Sequence, residues 1–230
     1  LACFRFVSIL VVVAAMTAII LQRIPPQDSP FAPLDLQHPI GLATGMKLDR
    51  LHSAPERCLQ AIARAPVAVS VVPDRRMGDD CAFETVVRLD RSSVRWWAPV
   101  SVTCAMAAAL VVWEREIVAP AAARHFGSRV VSIDHLGSYA CRRVYGSSSP
   151  SARVSQHATA NAIDVAGFRL ADGTRVTLAR DWATDTAKGA FLRDVRDGSC
   201  RLFKAVLGPA YNQAHADHFH LDMGPYAVCR

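Results

Sequence analysis

His215-Ala216-Asp217-His218-Phe219-His220-Leu221-Asp222 alternates polar and apolar side chains from His218 onward. A two-residue period marks a strand with one buried face: His218, His220 and Asp222 share one side, and Phe219 and Leu221 point into the core. Two imidazoles then face one cavity. Upstream stands Ser155-Gln156-His157-Ala158-Thr159-Ala160-Asn161-Ala162-Ile163-Asp164, and the two stretches hold four of the chain's eight histidines. There Ala160 to Val165 reads as a short strand, with Ile163 and Val165 inward and Asp164 turned toward the same cavity.

A catalytic zinc ion takes three protein ligands drawn from neutral imidazole and carboxylate and leaves a fourth position open to water. His157, Asp164 and His220 supply that set. The gap of seven residues from His157 to Asp164 lets a loop residue and a strand residue converge on one ion. His38, His52, His125 and His135 lie outside both clusters and read as structural or surface residues. Trp96-Trp97 reads as core or interface packing, with a carbohydrate platform as the other reading. Asp181-Trp182 falls in a loop ahead of a helix, where substrate contact is one possibility.

The chain has 230 residues, 51% of them hydrophobic, enough for a sizeable core and one catalytic domain with appendages. Its net charge of +6 comes from basic residues scattered among acidic ones, with no basic run of five, which argues against a nucleic-acid partner. Phe6 to Leu21 is an apolar run behind Arg5, the pattern of an export signal, so residues 1–22 read as a signal anchor or signal peptide. The run is borderline for a span of about 20 residues. Without an evident small-x-small cleavage site, an uncleaved anchor in the inner membrane is the preferred reading. Residues 23–50, with Pro25, Pro26, Pro30, Pro33 and Pro39, read as an extended Pro-rich linker, and 51–230 as the catalytic domain.

Cys3 aside, the chain has Cys58, Cys81, Cys104, Cys141, Cys200 and Cys229, an even set that suggests disulfides in an oxidising compartment, the periplasm. Six cysteines allow 15 pairings, of which the simplest joins neighbours: Cys58 with Cys81, Cys104 with Cys141, Cys200 with Cys229.

Residues 53–65 suit a short helix; 66–72, 83–89 and 130–139 suit strands. A buried helix is expected over 101–118, stopped by Pro120. Asp172-Gly173 marks a hairpin turn. A helix is expected from Thr186 to Leu207, with Leu202 and Val206 on its inner face and Gly208-Pro209 as its stop. Gly146 to Pro150 reads as a loop.

Ser155-x-His157-x-x-Ala160-x-Ala162-x-Asp164 resembles the S-x-H-x-x-G-x-A-x-D motif of the zinc peptidases grouped with lysostaphin, the D-alanyl-D-alanine metallopeptidases and the hedgehog signalling domain. His218-x-His220 resembles their closing H-x-H. Over roughly Ser53 to Arg230, including Gly137-Ser138-Tyr139-Ala140-Cys141-Arg142, the chain is similar to bacterial extensin-like C-terminal domain proteins. The resemblance implies an α+β fold, a small antiparallel sheet with flanking helices, holding zinc on His157, Asp164 and His220. It also implies hydrolysis of peptide bonds in peptidoglycan; the hedgehog likeness admits a zinc-containing, non-catalytic wall-binding module instead. Ala160 replaces the motif's glycine, a mild change where φ is negative. Asp217 stands where several relatives carry a glutamate. By resemblance, His218 or His215 is the first choice of general base, Asp217 the second, and Arg142 an oxyanion partner with Arg143 as fallback.

Overall fold

The computed structural model describes residues 23–144 and 153–230, so Cys3, the apolar run 6–21 and the loop from Gly146 to Pro150 lie outside the described residues. Among the described residues, no helix is long and apolar enough to cross a membrane.

The prolines from Pro25 to Pro39 do not make a free spacer. Leu36 and Leu48 are buried in the main core, Lys47 Nζ donates to Pro26 O at 2.6 Å, and the Arg115 guanidinium donates to the carbonyls of Leu36 and His38. Residues 24–50 thus strap onto the domain and end in α1 (Thr44–Asp49) and a 3-10 turn (Arg50–Ser53). The linker reading failed because a chain with no hydrophobic period still docks when two leucines find holes and a guanidinium satisfies its carbonyls.

α2 (Pro55–Ala63) buries Cys58, Ala61 and Ile62, close to its expected bounds. β1 (Ala68–Val71), β2 (Arg75–Arg76), β3 (Ala82–Phe83), β4 (Val86–Arg91), β5 (Arg95–Trp96) and β6 (Val100–Thr103) follow. β1, β4 and β6 form an antiparallel layer in the order β1-β4-β6, and β2 pairs with β3.

The helix expected over 101–118 begins and ends elsewhere. Residues 100–103 pair with β4 as strand, and Thr103 caps α3 (Cys104–Trp113), its Oγ1 accepting from Met106 N at 3.3 Å. Every residue of α3 is buried. A π turn (Glu114–Val118) follows, and α4 (Ala119–Phe126) runs on through Pro120 to Gly127, whose φ of 59° closes it. Pro120 is tolerated because it falls in the first turn after the register change, where its missing N–H forfeits no α-helical bond.

The large sheet comprises β5, β7 (Val130–Gly137), β8 (Ala162–Leu170), β9 (Arg175–Thr177), β10 (Ala205–Leu207), β11 (Phe219–Asp222) and β12 (Val228–Cys229). Its order is β12-β10-β11-β8-β7-β5, with β9 paired to β8; the interior pairs are antiparallel and the two edge pairs parallel. Gly173, at φ 88°, turns the β8–β9 hairpin where Asp172-Gly173 predicted it. α5 (Leu178–Asp181) and α6 (Ala187–Ser199) complete the helices. α6 stops eight residues short of Leu207, and Val206 sits in β10 between β11 and β12, where sheet partners outweigh helix continuation. The fold is α+β. Ile163, Val165, Phe168, Phe219 and Leu221 turn one face of the sheet into the core with Trp113 and Phe191, leaving Asp164 and His220 on the other.

Three disulfides staple this arrangement. Cys200–Cys229 is the pair expected between neighbours; the other two are Cys58–Cys104 and Cys81–Cys141, with Cα separations of 6.0 and 5.6 Å. Pairing by sequence proximity failed because the strand layer places the start of α3 against α2 and leaves the β3 loop beside the end of β7.

Candidate metal centre

β11 and β8 run antiparallel with His220 directly opposite Asp164, so the two side chains leave the sheet side by side. His157 arrives on a 3-10 turn (Gln156–Thr159) whose backbone is pinned from several directions. Ser155 Oγ accepts from His157 N at 3.3 Å, and the His157 carbonyl accepts from Ala160 N at 3.1 Å and from Ala140 N at 3.2 Å. Asn161 ties the turn to its surroundings: its Nδ2 donates to Gln156 Oε1 at 2.7 Å, and its Oδ1 accepts from Thr103 Oγ1 at 2.9 Å. Ala160 leaves the turn at φ 54°, left-handed backbone in which an alanine is strained. The glycine-to-alanine departure is therefore not the mild one expected of a negative φ. The buried methyl packs beside Phe83 and Val86.

His157 Nε2, Asp164 Oδ1 and His220 Nδ1 form a triangle with sides of 3.2, 3.0 and 3.0 Å. A tetrahedral ion with bonds of about 2.0–2.1 Å holds its ligands roughly 3.3–3.4 Å apart, so these atoms fit one face of its shell after small outward shifts. Among the described residues this is the only such His, Cys, Asp or Glu group. Two imidazoles and a carboxylate suit a divalent ion of borderline softness.

Burial opposes ionisation of Asp164, but hydrogen bonds from His157 and His220 outweigh it and hold the carboxyl below the usual range. Burial likewise opposes charge on His220, yet its hydrogen bonds with Asp164 and Asp222 lift its pKa to about 9. A proton thus occupies the centre when no cation does. Asp222 Oδ2 lies 3.0 Å from His220 Nε2 while Asp222 Oδ1 accepts from Gly224 N at 2.8 Å, which fixes the ring and aims Nδ1 into the triangle.

The remaining expected residues gather around this centre to different degrees. His218 Nε2 is 3.6 Å from Asp164 Oδ1, and its Nδ1 is 2.8 Å from Asp217 Oδ1. Asp217, 60% exposed, faces His218. His215 sits on a 3-10 turn (Gln213–His215), with Nδ1 2.7 Å from Asn212 Oδ1 and its ring 5.2 Å from that of His218. Burial, then the neighbouring His218 and His220, depress its pKa to about 4. Arg142 lines the same cleft of about 510 Å³, whereas Arg143 Nη2 is bound 2.7 Å from Asp80 Oδ2. Asp181 accepts from Thr177 N at 2.8 Å, and Trp182 packs edge-on against Phe219, so both serve the scaffold.

Asn212, Tyr211 and the Arg153–Tyr226 pair, with the guanidinium 4.3 Å from the ring centroid, also line the cleft and escaped sequence reading. Asn212, three residues before His215, carried the one local signal.

A family model described as the extensin-like protein C-terminus matches residues 56–230, and the chain belongs to that family. No curated protein and no solved structure matches it.

Proposed function

We propose that this extensin-like protein is a zinc-dependent hydrolase of peptidoglycan peptide cross-links or stem peptides. We place its work in the periplasm, with residues 6–21 as an inner-membrane anchor. The observation that carries the reading is the His157–Asp164–His220 triangle, opening into a cleft that also holds two further imidazoles and two arginines, Arg142 and Arg153. Three disulfides fit an oxidising compartment.

His157, Asp164 and His220 would hold zinc, which would supply a Lewis acid able to polarise a carbonyl and lower the pKa of water. His218 takes the proton: Asp217 Oδ1 accepts from Nδ1–H, which leaves Nε2 as the basic atom on the side facing Asp164. His215 is held in the same tautomer by Asn212 Oδ1 and stays neutral at pH 7, so its Nε2 offers a hydrogen-bond acceptor to water or substrate, while its low pKa leaves the proton transfer to His218. Arg142, on the cleft wall, faces the oxyanion that forms as the carbonyl becomes tetrahedral. Asp217 acts through His218 and not directly on water.

Purified cell wall incubated with zinc-loaded protein, followed by fragment analysis, tests the reading. Release of peptide fragments by the wild type and not by His218→Ala supports it. Metal-loaded protein that binds wall but releases nothing assigns the second reading, a zinc-containing binding module.

A further inference from the structure

Among the described residues, Glu114 is the one buried carboxylate with no cationic partner among its hydrogen bonds, and the proposed hydrolysis does not use it. Only 1% of it is exposed, and burial raises its pKa against the pull of four donors. Ser92 Oγ and Trp96 Nε1 donate to Oε1 at 2.8 and 2.9 Å, and Ser93 N and Oγ donate to Oε2 at 3.1 and 2.6 Å. A buried acid is thereby committed to fixing one loop. Holding Trp96 inside forces its neighbour outward, and the Trp97 indole is 65% exposed.

That loop lines a groove of about 570 Å³ bounded by Arg88, Arg91, Arg95 and Trp97. Its acidic member, Asp90, is already bound by Arg88 at 2.6 Å. A net positive row continues across the sheet, where Arg95 stands opposite Ser132, Ser132 opposite Arg169, and Arg169 opposite Arg175, with Asp134 as the one carboxylate shared by Arg169 at 3.3 Å and Arg175 at 3.1 Å. The Arg169 guanidinium lies 5.3 Å from the Trp97 ring centroid, and Ser132 Oγ is buried beneath this row with no hydrogen-bond partner. An exposed indole offers a flat apolar face to a sugar ring, and the guanidiniums offer charge and paired donors to carboxylates.

We propose that the Trp97 groove is a binding site for a carboxylate-bearing glycan chain, separate from the metal centre. Arg169 and Asp164 share β8 five residues apart, so about 17 Å of strand separates the two sites. A polymer reaches both; a short peptide reaches one. The groove tethers the glycan while the cleft addresses other parts of the wall.

The probe is peptidoglycan glycan stripped of its peptides by an amidase, which leaves free lactyl carboxylates, titrated against the full chain at low and high salt. Trp97→Ala should bind at least about tenfold more weakly. Arg95→Glu should weaken binding and flatten its salt dependence, and His157→Ala should bind as the wild type does. Unchanged affinity in Trp97→Ala overturns the proposal, as does equal loss in His157→Ala, which would put the glycan in the metal cleft. Protein that releases no wall fragments yet binds glycan through Trp97 sinks the hydrolase reading and leaves this one standing.

Discussion

Asp217 Oδ1 lies 2.8 Å from His218 Nδ1 and thereby turns the opposite nitrogen of that ring to within 3.6 Å of Asp164 Oδ1. In the proposed hydrolysis, a residue that sequence offered as a rival base would thus support His218 instead. His218→Ala should keep its zinc and lose about 10² to 10⁴-fold in turnover on peptidoglycan, whereas Asp217→Ala should lose about tenfold. An inactive Asp217→Ala beside an active His218→Ala, measured with metal content, reverses the assignment.

Metal binding should be proton-linked. In the metal-free protein His220 holds a proton up to a pH of about 9, and that proton must leave before Nδ1 can ligate. Apparent zinc affinity should therefore rise by about tenfold per pH unit from 6 to 8, read by competition with a chromophoric chelator. The wild type should carry one zinc per chain, and His157→Ala should carry none.

Ala160 tests the strained turn. Glycine there removes about 1–2 kcal/mol of left-handed strain and forfeits about 1 kcal/mol of buried methyl, so Ala160→Gly should lie within about 1 kcal/mol of the wild type. A β-branched residue cannot adopt that backbone cheaply. Ala160→Val should lose about 2–3 kcal/mol in denaturant unfolding and bind zinc more weakly, since the turn also carries His157.

Glu114→Gln should destabilise the protein at pH 5 by about 1–3 kcal/mol, because an amide NH₂ would face donors that now meet an oxygen. The folded pKa of Glu114 lies above its unfolded value. Its contribution is therefore full below the unfolded pKa and declines as pH rises through the folded one. The gap between wild type and Glu114→Gln should narrow with rising pH in urea melts.

Peptide mapping without reductant should link Cys58 to Cys104 and Cys81 to Cys141, and no more than one of the seven cysteines should titrate as free thiol. Replacing Cys58 and Cys104 together by Ser, across a separation of 46 residues, should cost about 4 kcal/mol.

The sequence by itself determined the elements that rest on local periodicity and turn chemistry. Alternation from His218 to Asp222 specified a strand with Phe219 and Leu221 inside, and Asp172-Gly173 specified a hairpin, because each signal lies within a few residues of its consequence. Resemblance to a zinc-peptidase motif picked out His157, Asp164 and His220; the register of β8 against β11 sets Asp164 beside His220, and the 3-10 turn delivers His157 to them. Only the tertiary structure decided what depends on residues far apart. It docked 24–50 through Leu36 and Arg115, turned Val206 from helix to strand between β11 and β12, and carried the helix through Pro120 on a π turn. It chose two of the three disulfides and put Ala160 at positive φ. Local preference within a segment amounts to a few tenths of a kcal/mol per residue, roughly, and partners supplied by distant segments exceed that.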